Sequence, residues 1–327
     1  MQSFLDPAIL FFVFGLLAGA LRSNLEIPPQ IARFLSLYLL MALGLKGGFA
    51  LHQSGLTADV AVSLGCALLL ATVVPLLGYH LLKRFLSGYD AAAIAATYGS
   101  VSAVTFITAV QYLDNHNLPY GGHMAAAMAL MESPAIIMAV LLANMVRQRE
   151  KEQALAAESS TVRNTPLGRI LHESVTDGAQ LVLLGAMVIG IVTGQSGHDA
   201  MKPFAGDLFK GMLAFFLLDM GLNAARNMGE LKGKSPWLLA YGLIGPLVHA
   251  ALALGLCVLL DIPAGNGALL MVLAASASYI AVPAVVRHAI PEANPSLYIG
   301  MSLGLTFPFN ILIGIPMYVG VAHQVLR

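Results

Sequence analysis

Long runs of hydrophobic residues, rather than an alternation of hydrophobic and polar positions, dominate this chain of 327 residues. A helix that crosses a lipid bilayer needs about 20 consecutive, mainly apolar residues. Ten runs approach or exceed this length: 4–21, 30–51, 60–86, 90–114, 121–146, 175–194, 206–226, 236–260, 265–290 and 296–322. The pattern predicts an all-α membrane protein with ten transmembrane helices.

The first run has one feature of a cleaved signal, since Ala18, Gly19 and Ala20 fit a small-residue cleavage site. A signal normally begins with basic residues, whereas this segment carries Asp6 and neither Lys nor Arg. We therefore expect the first run to be retained as a transmembrane helix.

Composition excludes most soluble classes of protein. Hydrophobic residues make up 58% of the chain and charged residues only 10%, and the mean hydropathy is +0.79. A soluble domain carries about 25% charged residues, so a soluble enzyme, a disordered chain and a nucleic-acid binder are excluded. The net charge of zero implies no strongly basic or acidic partner.

The distribution of Lys and Arg predicts the orientation in the membrane. We assume that the loop from Gln148 to Ser174 is cytoplasmic. All of the 17 Lys and Arg residues then fall on the cytoplasmic side except four, which are Lys46, Lys202, Lys210 and Arg327. Positive charge accumulates on the cytoplasmic side of membrane proteins, so we predict that both termini are extracytoplasmic. We expect the membrane to be the plasma membrane.

The two halves of the chain resemble each other at an offset of about 176 residues. Three pairs match in the same order: 42–48 (ALGLKGG) with 219–225 (DMGLNAA), 99–103 (GSVSA) with 275–279 (ASASY), and 132–134 (ESP) with 306–308 (TFP). Each half has five runs, an odd number, so the second half must be inverted. The sequence predicts a 5+5 inverted repeat, typical of secondary transporters, with halves 1–147 and 175–327 and a cytoplasmic linker 148–174.

Small polar residues interrupt runs four and nine at matching positions. Run four contains Ser100 and Ser102, and run nine contains Ser276 and Ser278, followed by Pro283. Small polar side chains can satisfy backbone groups that a break frees, and Pro is tolerated in the first turn of a helix. We therefore predict that helices 4 and 9 are broken and cross each other, with helix 9 restarting just before Pro283.

Two antiparallel broken helices would direct the N-termini of their second halves at one central point. Each N-terminus carries roughly half a positive charge and free N–H groups, so the pair would bind a small monovalent anion without Lys or Arg. The four serine hydroxyls would add hydrogen-bond donors. The C-terminal carbonyls of the first halves would suit Na⁺. The alternative that these serines only hold helices together stays open.

Several oxygen-bearing side chains lie inside other runs. Glu132 lies in run five, Asp219 and Asn223 lie one turn apart in run seven, and Thr306 and Asn310 lie one turn apart in run ten. Polar and ionisable residues inside a membrane are functional candidates by default, and such oxygen ligands suit Na⁺. That these side chains only clamp helices together remains an alternative, above all for Asp219.

Five motifs resemble the SbtA-type sodium-dependent bicarbonate transporters: 95–102 (AATYGSVS), 121–124 (GGHM), 130–137 (LMESPAII), 278–284 (SYIAVPA) and 306–310 (TFPFN). The resemblance covers nearly the whole chain. It implies gate and core domains, a homotrimer and an elevator-like motion. It also implies bicarbonate bound between the two broken helices, co-transported Na⁺ nearby, and a PII-like regulatory partner on the cytoplasmic side.

The resemblance and the break positions together give the candidate site residues. For bicarbonate they are Ser100, Val101, Ser102, Ala103, Thr105, Ser276, Ala277, Ser278 and Tyr279. For Na⁺ they are Tyr98, Glu132, Asp219, Asn223, Thr306 and Asn310.

A Na⁺-dependent bicarbonate symporter is the leading hypothesis, and three alternatives stay open. A Na⁺ symporter for a larger carboxylate would need a wider pocket than the bulky Phe106 and Tyr279 beside the breaks suggest. A Na⁺/H⁺ antiporter usually has a titratable carboxylate at the crossing, where this chain has serines. A membrane enzyme is not expected, because no spacing of a nucleophile and a base supports one.

Overall fold

The computed structural model describes residues 6–55, 57–155, 178–229 and 235–326. Within these ranges the chain is helical and contains no β-strand. Seven helical segments are long and apolar enough to cross a membrane, and one of them, Leu181–Met228, covers one predicted run, 206–226, and most of another, 175–194. Pro7–Ala20 and Ala264–Ala275 are shorter apolar helices. The fold class is therefore that of an all-α membrane protein, and the count of ten spans stays a prediction.

We number the helices of the described residues in chain order. They are α1 (Pro7–Ala20), α2 (Pro29–Ser54), α3 (Ala58–Leu82), α4 (Gly88–Gly99), α5 (Ala103–Asn115), α6 (Met124–Leu155), α7 (Gly178–Lys202), α8 (Phe209–Met228), α9 (Pro236–Leu259), α10 (Ala264–Ala275), α11 (Ala281–Ala289) and α12 (Pro295–Val325). A π-helical segment, Pro203–Asp207, joins α7 to α8.

The predicted linker 148–174 begins inside a helix. Because α6 continues to Leu155, the first residues of this linker extend α6. The rest of the predicted linker lies outside the described residues. The proposed boundaries at 147 and 175 stay predictions.

The helices pack in two groups. In the first, which we call the paired group, α1 packs along α8 and α2 packs along α7 over most of their lengths. The remaining helices, α3 to α6 and α9 to α12, pack mainly against one another and form what we call the crossing group. Each pair in the paired group joins a helix from the first half of the chain to one from the second, so the two halves interlock.

Glycines allow the close approach of the helices in the paired group. A Cβ atom placed on Gly221 of α8 would lie 3.0 Å from the Cα of Gly15 in α1. A Cβ on Gly190 of α7 would likewise lie 3.0 Å from the Cα of Gly48 in α2. Small residues are typical of tight helix contacts in membranes, where lipid supplies no hydrophobic drive for helix association.

Replacing Gly221 with Val is expected to force α1 and α8 apart. Overpacking of this kind costs about 1–3 kcal/mol, so the melting temperature of the purified protein should fall by several degrees. Gly211→Val is the matched control, because no atom lies within 4 Å of a Cβ placed on Gly211 in the same helix. Equal melting temperatures for the two variants would contradict this account of the contact.

A buried arginine in the C-terminal half of α6 binds the end of α11 and the segment after it. The Arg147 residue is only 3% exposed, and its Nη2 donates to the carbonyl of Ala289 and to Oε2 of Glu292, each at 2.8 Å. Its Nε donates to the other Glu292 oxygen at 3.1 Å, which completes a bidentate pair. Partial burial opposes ionisation of Glu292, but the hydrogen bonds from Arg147 outweigh it and hold the pKa of this carboxyl below its usual range.

This pair should make stability depend on pH in the acid range. Because the pKa of Glu292 is lowered in the folded protein, its contribution is present above the unfolded pKa and is lost as pH falls through the folded value. We expect the melting temperature to fall more steeply on acidification in the wild type than in Glu292→Gln. Thermal unfolding between pH 7 and about 2.5 measures both slopes, because this window extends below the usual Glu pKa. Parallel curves would show that the pair adds no acid-sensitive stability.

Candidate functional site

Two non-helical segments interrupt the helices at the positions that the sequence predicts. The first separates α4 from α5 at residues 100–102, and the second separates α10 from α11 at residues 276–280. Ser102 is the N-cap of α5, and its hydroxyl oxygen accepts a hydrogen bond from the amide of Thr105 at 3.2 Å. Because α11 begins at Ala281, Pro283 lies in its first turn, as predicted.

Hydrogen bonds fix the two breaks against each other. The amide of Ser278 donates to the carbonyl of Thr97 at 2.8 Å, and the amide of Ser102 donates to the hydroxyl of Ser276 at 3.0 Å. Each bond connects residues far apart in sequence. The break between α4 and α5 and the break between α10 and α11 therefore form one unit.

A cavity of about 90 Å³ lies where the two breaks meet. The first turns of α5 and α11 border it through residues 102–104 and 278–281, and α2, α6 and α7 form the remaining walls. The first N–H groups of a helix have no partner inside the helix, and both N-termini carry a partial positive charge. Among the side chains that the structure describes, those that line the cavity include no Lys or Arg: Ser36, Leu40, Val101, Ser102, Ala103, Val104, Met128, Ala129, Glu132, Leu183, Ser278, Tyr279, Ile280 and Ala281.

Two serine hydroxyls in this cavity can donate to a ligand. The Ser102 hydroxyl oxygen accepts from the amide and the hydroxyl of Thr105, and the Ser278 hydroxyl oxygen accepts from the amide of Val282 at 3.2 Å. Accepting these bonds leaves each hydroxyl proton for a further acceptor. The two residues are 176 positions apart, so they also occupy equivalent places in the predicted repeat.

The other candidate anion ligands divide between the cavity wall and the layer behind it. Val101, Ala103 and Tyr279 line the cavity. The Ser276 hydroxyl donates to the carbonyl of Leu273 at 2.8 Å and so serves the end of α10. The remaining three, Ser100, Thr105 and Ala277, are buried but are not part of the cavity lining.

Glu132 is the candidate Na⁺ ligand that borders the cavity. It lies on α6 with only 9% of its surface exposed, and shares the cavity wall with Ser102 and Ser278. An ionisable carboxyl group and two hydroxyl donors therefore border the same cavity. A cation bound here would contact an anionic oxygen and have an anion beside it.

Thr306 and Tyr98 form part of the framework behind the breaks. The Thr306 hydroxyl donates to the carbonyl of Gly242 at 2.7 Å and lies 2.5 Å from the hydroxyl of Tyr98. Pro246 has no N–H to bond this carbonyl four residues earlier, so Thr306 supplies the missing donor. These contacts tie α4 and α9 to α12.

Asn310 braces the second break. Its side-chain amide donates to the carbonyl of Ala275, the last residue of α10, at 2.8 Å. Its amide oxygen accepts from the hydroxyl of Tyr318 at 3.1 Å. Both ends of the Asn310 side chain are therefore used in holding the end of α10 against α12.

The last two Na⁺ candidates form a separate pair on α8. The side-chain amide of Asn223 donates to Oδ2 of Asp219 at 3.1 Å, and neither residue lines the cavity. The structure therefore brings Glu132 to the serines, joins Tyr98 to Thr306, and leaves Asp219 with Asn223. Across the described ranges, no group of three or more His, Cys, Asp or Glu residues is arranged to hold a metal ion.

Sequence reasoning missed the cavity walls contributed by other helices. Ser36, Leu40 and Leu183 enter from the paired group, and Met128 and Ala129 enter from α6. Ser36 is a single polar residue in an apolar run, which is a weak signal, and the apolar residues give none. It also missed two π-helical segments in α12, Ser302–Thr306 and Asn310–Gly314. Such segments are frequent at functional sites, and these begin or end at the residues that brace the breaks.

A short motif in α12 matches the sequence pattern of hydrolase nucleophiles but does not have their structure. Residues 300–304 (GMSLG) have the G-x-S-x-G spacing of hydrolase nucleophiles. That chemistry needs the serine on a tight turn between a strand and a helix. Ser302 instead lies inside α12 and donates to the carbonyl of Tyr298 at 2.8 Å. This serine is a helix residue rather than an exposed nucleophile.

Comparison with protein families gives one match. The family model of the Na⁺-dependent bicarbonate transporter superfamily matches residues 7–323. No curated protein matches this sequence.

Proposed function

The chain belongs to the Na⁺-dependent bicarbonate transporter superfamily, and we propose that it is a symporter that carries bicarbonate into the cell with Na⁺. It is thus a multi-pass membrane transporter and not an enzyme. The remaining question is how its residues bind the anion and couple it to the cation.

The convergence of two helix N-termini and two serine hydroxyls on one small cavity carries this proposal. Bicarbonate is a small, planar anion whose charge is shared by two oxygens. The amides of Thr105 and Val282 already bond to Ser102 and Ser278, and Pro283 has no N–H. The amides of Ala103, Val104 and Ala281 in the first turns of α5 and α11, together with the two serine hydroxyls, supply donors for those oxygens. A cavity of about 90 Å³ favours such an anion over a larger carboxylate.

Glu132 gives a physical reason for coupling to Na⁺. Two like charges about 4 Å apart repel by about 4 kcal/mol at an effective dielectric constant near 20. Bicarbonate beside an ionised Glu132 would therefore bind poorly. Na⁺ bound at the Glu132 carboxylate removes this repulsion and attracts the anion, so each ion raises the affinity for the other.

The free energy that drives bicarbonate uptake depends on how many Na⁺ ions move with each anion. A tenfold Na⁺ gradient supplies about 1.4 kcal/mol. One Na⁺ per bicarbonate is electroneutral and uses only that gradient. A second Na⁺ would add another such term and roughly 2.3 kcal/mol per 100 mV of membrane potential.

The packing of the paired group supports the proposed inverted repeat. In a 5+5 repeat, α1 corresponds to α7 and α2 corresponds to α8. The contact of α1 with α8 is then equivalent, by the repeat, to the contact of α7 with α2. Gly15 and Gly190 occupy nearly equivalent positions and each faces a glycine of its partner helix. This supports a pseudo-two-fold arrangement of the two halves.

The division into two helix groups supports the gate and core that the proposal requires. The paired group would form the gate, and the crossing group, which carries both breaks, would form a core that moves in an elevator-like manner. A homotrimer in the plasma membrane, with both termini extracytoplasmic and a PII-like regulator on the cytoplasmic side, completes the proposal. These features rest on the family and on the Lys and Arg distribution.

Uptake of labelled bicarbonate into proteoliposomes tests the proposed function. We expect uptake to need an inward Na⁺ gradient and to compete only weakly with larger carboxylates. Equal uptake with and without Na⁺ would overturn the proposal. Sodium-driven proton flux without bicarbonate, followed by a pH-sensitive dye, would favour an antiporter instead.

A further inference from the structure

The C-terminal end of α5 carries a polar cluster that reaches helices of the paired group. The ammonium group of Lys46, on α2, lies 3.3 Å from Oδ2 of Asp114, and the hydroxyl of Tyr120 donates to Oδ1 of Asp114 at 2.9 Å. Lys210 of α8 donates to the side-chain oxygen of Asn115 at 2.8 Å. Two lysines from the paired group thus meet adjacent residues at the end of one helix of the crossing group.

A third helix of the paired group joins this cluster through its N-cap. The side-chain amide of Asn115 donates to one oxygen of Asp6 at 2.5 Å, while the other Asp6 oxygen caps α1 at the amide of Ala8. The C-terminus of a helix carries a partial negative charge, which favours the ammonium groups of Lys46 and Lys210 at the end of α5. Charge and hydrogen bonding therefore act together here.

This cluster and the anion cavity lie at different depths along α2. The cavity contacts Ser36 and Leu40 in the first half of α2, near Arg33 at its predicted cytoplasmic end. Lys46 follows Ser36 by ten residues, which is about 15 Å along a helix. The cluster therefore lies between the cavity and the predicted extracytoplasmic surface.

In the predicted repeat, the C-terminal end of α11 is equivalent to that of α5, but it is bound by different partners. At the end of α11, Arg147 holds Ala289 and Glu292, and all three residues belong to the crossing group or its loops. Asn223 takes the place of Lys46 in the repeat, and its side-chain amide bonds to Asp219 of its own helix. Over the described parts of the chain, the ion pair between the two groups is thus on the extracytoplasmic side.

We propose that Lys46, Lys210 and Asp6, bound to Asp114 and Asn115, form an extracytoplasmic latch that holds the anion cavity closed to the outside. The latch must open before the crossing group can present its cavity outward. This inference rests on the proposed function, because it assumes that the crossing group moves against the paired group. The latched conformation is then the resting one.

Labelling of a cavity cysteine from outside tests the latch. Ser36→Cys places a thiol in the cavity, and the two native cysteines, Cys66 and Cys257, are buried. The full-length protein in right-side-out vesicles is treated with a membrane-impermeant maleimide. Adding Lys46→Met with Lys210→Met should raise the labelling rate about fivefold, since two partly exposed pairs together stabilise by about 1 kcal/mol. Asn115→Leu should act in the same direction.

Lys202→Met is the matched control, because Lys202 lies on the same predicted side at the end of α7 and outside the cluster. An unchanged labelling rate in both the double variant and Asn115→Leu would overturn the latch. So would an equal rise in the control, or rapid outside labelling of Ser36→Cys alone. Bicarbonate uptake is measured separately in the wild type, so faster labelling of the variants with no Na⁺-dependent uptake by the wild type would retain the latch and reject the proposed transport.

Discussion

Replacing both Ser102 and Ser278 with Ala is expected to lower the affinity for bicarbonate by about 100-fold or more. A hydrogen bond to a charged group contributes about 1.5–3 kcal/mol, and the double variant removes one donor from each break. The measurement is the bicarbonate concentration that gives half-maximal Na⁺-driven uptake. Each single variant should show roughly the square root of the double effect if the two sites contribute equally.

The matched control for these variants is Ser302→Ala. Ser302 is equally buried and its hydroxyl bonds to a carbonyl of its own helix, away from the cavity. Its loss should leave the bicarbonate affinity nearly unchanged. Because Ser102 also caps α5, its loss should cost about 1 kcal/mol of stability, which thermal unfolding separates from the binding effect. Wild-type affinity in a folded double variant would show that the anion is bound elsewhere.

Replacing Glu132 with Gln is expected to uncouple bicarbonate from Na⁺. The change removes the proposed anionic ligand of Na⁺ and the repulsion that opposes bicarbonate when Na⁺ is absent. The Na⁺ concentration for half-maximal uptake should rise roughly 100-fold, because a close charge pair contributes several kcal/mol. Binding of bicarbonate without Na⁺ should become stronger than in the wild type, because the repulsion is gone. A titration of Na⁺ against uptake and a binding assay in Na⁺-free buffer measure both effects.

Asp219→Asn distinguishes Glu132 from the other buried acid. Asp219 pairs with Asn223 away from the cavity, so its replacement should change the Na⁺ requirement by about threefold or less. An Asp219 variant that loses its Na⁺ response while the Glu132 variant keeps it would move the cation site to α8. With the cation on α8, repulsion between Glu132 and bicarbonate would no longer account for coupling.

The breaks could be predicted from sequence because their chemistry is local. Serines in the middle of an apolar run, with a proline one turn later, do not favour a continuous helix. Ser102, Ser278 and Pro283 therefore indicated where α5 and α11 begin. The family was likewise predictable, because five short motifs resembled it before the family model matched.

The roles of the candidate Na⁺ ligands depended on contacts that no local pattern specifies. The predicted repeat makes Thr306 and Glu132 equivalent, but packing places Glu132 at the cavity and bonds Thr306 to the carbonyl left free by Pro246. The contribution of Leu183 comes from α7 packing along α2, a long-range contact. The extent of α6 to Leu155 was also missed, because its last turns are polar and do not resemble a span.

Two opposed helix N-termini are expected to hold the anion without a basic side chain. The most direct test is an experimental structure of the protein with Na⁺ and bicarbonate bound. We expect density for a small solute within hydrogen-bond distance of the hydroxyls of Ser102 and Ser278, between the first turns of α5 and α11. Continuous helices through both breaks, or an anion held by a Lys or Arg elsewhere, would contradict this mode of binding.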